Sequence, residues 1–228
     1  MSRFFNRQAH VDRPVSESGF VVLDTELTGL DEKTDSIVSV GAVRMTGGSI
    51  RAGETFYRLT RPKAALTRAS VVIHGITPSD VMEEGRIEDV LADLVEFVGG
   101  DVIVGHCVSI DMEFIGREMN KHMGKGLDNP AIDTLSLYGW AKKRGVMPEG
   151  GKSGPPDYRI YAIAGLLGVP VNGAHNALMD AYITAQVFQR FMPLLAQGGI
   201  TQLDDLLKIG APGKGGEYFG GSGGLQNF

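Results

Sequence analysis

Three short segments, residues 20–24, 101–105 and 131–134, are dominated by apolar side chains, and stretches with helical spacing separate them. A run that stays apolar without alternating buries both of its faces, as a strand inside a layered sheet does. Residues 37–45, rich in valine, and residues 55–59, which alternate more clearly, read as two further strands, with Gly47-Gly48 as the turn between them. Residues 60–80 read as a loop. Beyond it Ile87, Leu91, Leu94 and Val98 fall at helical spacing, so a helix is expected to pack one face on the sheet and to end at Gly99-Gly100. Ser109 is expected to cap a helix running to about residue 123, and residues 135–143 to form another. After the Gly/Pro-rich loop 145–156, helical character returns over residues 158–167 and 177–192. The order βββαβαβα argues for an α/β layered fold.

At 228 residues the chain fits one compact domain, or one domain with a tail. Its apolar and charged contents, 43% and 21%, are those of a globular protein, which excludes a disordered or fibrous reading. The longest apolar runs fall far short of the roughly 20 residues that cross a bilayer, so no membrane association is expected. The first residues lack the apolar stretch of a secretory signal, and a cytoplasmic location is expected. Cys107, the single cysteine, excludes an internal disulfide and a multi-cysteine zinc site. A net charge of −5 leaves no domain-wide positive field, so any contact with nucleic acid must be local. Residues 1–18 read as an N-terminal arm, 198–209 as a short helical extension and 210–228 as a flexible Gly-rich tail.

Asp24 and Glu26 lie two apart at the end of the first strand, and strand side chains repeat every second residue, so both carboxylates project to one face and can share a cation. Thr28-Gly29-Leu30 follows as a turn where backbone can approach a ligand. Asp111 falls in the first turn of a helix, whose N-terminus favours the ionised acid. Asp180 opens the last long helix, five residues after His175, with Gly173 suggesting an irregular lead-in. Singly, each of these has an ordinary structural explanation, because acids are common at strand ends and in first turns. Together they put four acids and a histidine at element boundaries, where α/β folds place their ligands and catalytic groups.

The segments DTELTGL at 24–30, HGIT at 74–77, GHCVSID at 105–111 and HNALMD at 175–180 resemble, in order and spacing, the motifs of DnaQ-like (DEDDh) exonucleases, a family that includes the polymerase III proofreading subunit and RNase T. The four residues between His175 and Asp180 set this branch apart from relatives that use tyrosine. The resemblance implies a ribonuclease H-like fold, a mixed five-stranded sheet flanked by helices, with an exonuclease domain over residues 19–197. It also implies 3′-to-5′ hydrolysis of phosphodiester bonds by two divalent ions, Mg²⁺ or Mn²⁺, held by Asp24, Glu26, Asp111 and Asp180. His175 is then the general base, a role suited to a group that titrates near neutrality. Thr25, Leu27, Thr28, Gly29 and Leu30 resemble the segment that receives the terminal nucleotide, and His74 and Ile76 a second wall of the same pocket. Leu27 stands where a second threonine is frequent, and Cys107 where asparagine is.

The expected substrate is a single-stranded nucleic acid or a 3′ end, DNA in preference to RNA, with a DNA polymerase as a candidate partner and the oligomeric state left open. An RNA-directed enzyme of the same family, or a non-catalytic nucleic-acid-binding protein on the same fold, are the alternatives. Asp24-Thr25 superficially resembles an aspartic protease motif, but Glu26 fills the position that needs glycine. His106 and Cys107, as neighbours on a strand, would point to opposite faces and make a poor base and nucleophile. Lys142, Lys143 and Arg144, with Arg58, Arg61, Lys63 and Arg68, are the basic residues available for phosphate contacts. The segment QLDDLL at 202–207 reads as a short amphipathic helix rather than a clamp-binding peptide.

Overall fold

A computed structural model of the chain describes residues 13–148, 157–171 and 175–213. The first part of the N-terminal arm, most of the Gly/Pro-rich loop, Gly173 and the Gly-rich tail past residue 213 lie outside the described residues. Five strands, β1 (Gly19–Leu27), β2 (Ile37–Thr46), β3 (Ser49–Leu59), β4 (Val102–Gly105) and β5 (Ala131–Asp133), form one sheet in the order β3-β2-β1-β4-β5. The first three strands pair antiparallel, while β4 is parallel to both β1 and β5. This is the mixed five-stranded sheet of a ribonuclease H-like fold.

Among the described residues eight α-helices join and cover it: α1 (Arg68–His74), α2 (Pro78–Val81), α3 (Ile87–Val98), α4 (Ser109–Met123), α5 (Thr134–Arg144), α6 (Ile160–Leu166), α7 (Ala177–Gln197) and α8 (Leu203–Ile209). The two-residue period of β1 divides the core. Phe20 and Val22 point to the face covered by α5, α6, α7 and α8, with Phe20 meeting Phe188 edge-on at 5.1 Å between ring centres. Val21 and Leu23 point to the opposite face, where Val90, Leu91 and Leu94 of α3 and Phe114 and Ile115 of α4 pack. Burying each such side chain stabilises the fold by about 1.5–3 kcal/mol, which holds the sheet rigid beneath the ends of its strands.

The chain departs from the sequence expectation in several places. Residues 60–80 hold two short helices, each opened by a capping box, Thr67 with Ser70 and Thr77 with Asp80. β3 begins at Ser49 rather than near residue 55, because its first half is an exposed ribbon without apolar alternation. Ser109 is the first residue of α4 instead of its cap, and its buried Oγ has no partner among the described residues. Pro14 bridges to Gln202, and the Val15 and Leu203 amides donate to Thr201 and Arg13 at 2.9 Å each, so the start of the described chain straps α8 in place. Leu203 and Leu206 from the QLDDLL segment are buried in the core. No helix is long and apolar enough to cross a membrane among the described residues.

Candidate active site

β1 runs three residues further than its apolar run suggests, through Leu27, so Asp24 and Glu26 are both strand residues and share a face. Asp24 lies opposite Gly41 of β2, and a Cβ on Gly41 would come within 2.2 Å of backbone atoms of Ala177 and Leu178. Only glycine lets the N-terminus of α7 sit this close to the sheet. Asn176 caps that helix by accepting from the Leu178 and Met179 amides, and Asp180 stands in its first turn. The result is a cluster in which one carboxylate oxygen each from Asp24, Glu26 and Asp180 lies within 4.8 Å of the others.

Asp111 stands just outside that set. It is buried in the first turn of α4, and Thr25 Oγ1 donates to its Oδ1 at 2.6 Å. The turn that delivers it depends on Asp133, which sequence reasoning missed. Asp133 is fully buried, and its Oδ1 accepts from the Cys107 amide at 3.1 Å and from the Leu135 amide at 2.8 Å. Cys107 adopts a left-handed φ of 53°, so it lies past the end of β4 and the strand-alternation argument against a His106–Cys107 pair does not apply. The pair is excluded on other grounds. Both His106 nitrogens are engaged, by Thr134 Oγ1 and the Tyr158 carbonyl at 2.9 Å each, and burial pushes the Cys107 thiol up.

Like charges gathered in a partly dry site resist ionisation. Burial, then the neighbouring Asp180 and Asp111, raises Glu26 to about 8. Burial raises Asp111 to about 7 against the opposing Thr25 hydrogen bond. Asp24 is held well above the carboxylate range by burial and by Asp111, Glu26 and Asp180 in turn, and burial raises Asp180 as well. Arg159 is the only arginine lining the cleft among the described residues, and it is paired with Asp157. Among the described residues no lysine and no other arginine lines the cleft, and His175 is the basic residue beside Asp180. The cluster's all-oxygen donor set fits a hard divalent ion.

The cluster forms the floor of a cleft of about 630 Å³. Thr25, Leu27, Thr28, Gly29 and Leu30 line it from the β1 side, and Thr67, Ser70, Ile73 and His74 from the α1 side. Ile76 is not on this wall. It packs with Val38 and Val81 in a separate small core, and Ile73, on the exposed side of α1, stands at the cleft instead. The Ile76 amide donates to His74 Nδ1 at 3.0 Å, which puts the ring proton on Nε2, a buried atom with no partner among the described residues. His175 has a left-handed φ of 66°, and its amide donates to Asp180 Oδ2 at 2.9 Å. Tyr161, which no motif singled out, donates to Asp180 Oδ1 at 2.9 Å.

Residues 21–188 match the family described as Exonuclease, of the RNase T type. The chain is 35% identical over 173 residues to the DNA polymerase III subunit epsilon of Aquifex aeolicus, covering 76% of this chain and 80% of that protein. It is 34% identical over 198 residues to the PolC-type DNA polymerase III of Thermotoga maritima, covering 87% of this chain but only 14% of that protein. Among solved structures, Escherichia coli Exonuclease I bound to a dT13 oligonucleotide shares the fold with a TM-score of 0.69 at 20% identity, over 80% of this chain and 43% of that one. The chain belongs to the exonuclease family, in its DnaQ-like (DEDDh) branch.

Proposed function

We propose that the chain is a metal-dependent 3′-to-5′ exonuclease that acts on single-stranded nucleic acid, with DNA preferred. The observation that carries this reading is the trio of carboxylates within 4.8 Å of one another at the floor of an open cleft, with no lysine and no unpaired arginine lining it among the described residues. Asp24, Glu26 and Asp180 would hold one divalent ion, and Asp24 with Asp111 would support a second. Bound there, Mg²⁺ or Mn²⁺ supplies charge neutralisation at the phosphate and favours hydroxide over water as nucleophile. His175, beside Asp180, takes the proton from the attacking water. Thr28, Gly29 and Leu30 receive the terminal nucleotide, with His74 on the facing wall. The preference for DNA rests on the relatives, whose names mark them as DNA polymerase III proteins, and association with a DNA polymerase is proposed on the same ground.

A comparison of cleavage rates on matched single-stranded DNA, paired DNA and RNA, each with Mg²⁺ or Mn²⁺ and then with chelator, tests the reading. Single-stranded DNA is expected to be degraded fastest, and every rate to vanish with chelator. A faster rate on RNA would reassign the substrate, and three intact strands under every metal condition would overturn the enzyme.

A further inference from the structure

We propose that Tyr161 is a positioning residue that sets Asp180 and His175 together. The inference rests on the exonuclease reading for its kinetic consequence, but its geometry stands apart from it. Tyr161 comes from the first turn of α6, which packs on α7 through Ile163 and Ala164. Its hydroxyl donates to Asp180 Oδ1 at 2.9 Å and accepts from the His175 amide at 3.3 Å, while the same amide donates to Asp180 Oδ2 at 2.9 Å. Three groups thus close a ring of hydrogen bonds around one carboxylate. The phenol ring also meets the imidazole of His175 edge-on, with centres 5.5 Å apart and planes at 86°.

This arrangement answers two local problems. Residue 175 is a histidine in the left-handed region, a conformation that costs on the order of 1–3 kcal/mol unless its surroundings hold it. The two acceptors on its amide do so, and the phenol edge limits where the ring can swing. A carboxylate on a helix can also rotate about its last bond, and Asp180 contributes to the metal set only in a fixed orientation. The hydroxyl fixes it by occupying Oδ1. Partners that orient metal ligands in this way change metal affinity or activity by about 10- to 100-fold when removed.

The test is Tyr161→Phe, which keeps the ring and removes only the hydroxyl. Calorimetric titration of the full chain with Mn²⁺ alone, without nucleic acid, is expected to show affinity lowered about tenfold or more. With a single-stranded oligonucleotide, kcat should fall by a similar factor while KM stays within about twofold, because the terminal nucleotide is received by other residues. Mn²⁺ affinity within twofold of the unmodified protein would overturn the proposal, whatever the rate. A fall in affinity seen only alongside loss of the cooperative melting transition would overturn it too, since the hydroxyl would then be serving the fold. If the unmodified chain binds Mn²⁺ but leaves every oligonucleotide intact, the exonuclease reading fails and the Mn²⁺ comparison still decides the role of Tyr161.

Discussion

Gly41 carries no functional group, yet the site depends on it. Its missing side chain lets the Ala177–Leu178 backbone of α7 lie against β2 directly across from Asp24, and that contact brings Asp180 to the other two acids. Gly41→Ala should force the helix outward, lowering stability by about 1–3 kcal/mol, as overpacking does, and weakening Mn²⁺ binding. Denaturant unfolding and calorimetry check both, and unmodified values in each would mean that the helix has room to spare. Asp24, Glu26, His175 and Asp180, which the fold brings together, were legible as a candidate set because Asp24-x-Glu26 and His175-x₄-Asp180 are local spacings. Gly41, Asp133 and Tyr161 were not legible, since each acts through a contact more than ten residues away. The expectation for Ile76 fails for a related reason, because α1 ends at His74 and the left-handed Gly75 turns the chain, so that Ile76 packs against Val38 and Val81 while Ile73 on the helix meets the cleft.

Among the elements, the loop after β1 is the one that α4 holds in place. Arg117 of α4 donates to the Asp35 carbonyl at 2.8 Å and to the Glu32 carbonyl, and is braced by Glu118 Oε1 at 2.8 Å. Asp35 in turn accepts from Thr28 Oγ1 at 2.7 Å and lies so close to Gly29 that a Cβ there would meet its Oδ2 at 2.5 Å. Arg117→Ala should therefore loosen the segment proposed to receive the terminal nucleotide. KM for an oligonucleotide is expected to rise about fivefold, the equivalent of one hydrogen bond of roughly 1 kcal/mol, with kcat little changed. A fall in kcat at constant KM would show that the clamp acts elsewhere. The elements expected from the sequence were those with a period long enough to read, such as α3 and the buried strands. α1 and α2 were missed because seven and four residues are too few for a helical repeat, and their boxes use Ser70 and Asp80 in place of the usual Glu or Gln.

The whole molecule couples its fold to its charge. The folded chain holds carboxyl protons that the unfolded chain releases near pH 4.5 for Glu26 and near 3.8 for Asp111, since burial raises Glu26 to about 8 and Asp111 to about 7. Between those limits the metal-free folded state binds more protons than the unfolded state, so its stability is greatest at acid pH and falls as pH rises through 8. Metal binding needs the ionised acids and strengthens over the same range. The Tm of chelator-treated protein should therefore be lower at pH 8.5 than at pH 5.5, and Mg²⁺ should raise it more at the higher pH. A metal-free Tm that increases across this window would contradict the raised pKa values. The layered order of strands and helices was evident from the sequence, because burial on two faces leaves an apolar run. The strap between residues 13–15 and 201–203 was not, because backbone pairing leaves no side-chain pattern. The most direct test of the central claim is digestion of a single-stranded oligonucleotide labelled at its 5′ end. The account predicts a ladder shortening one nucleotide at a time from the 3′ end with Mg²⁺ or Mn²⁺, abolished by chelator and by Asp24→Ala. An intact strand under every metal condition, or a ladder that persists in Asp24→Ala, would contradict it.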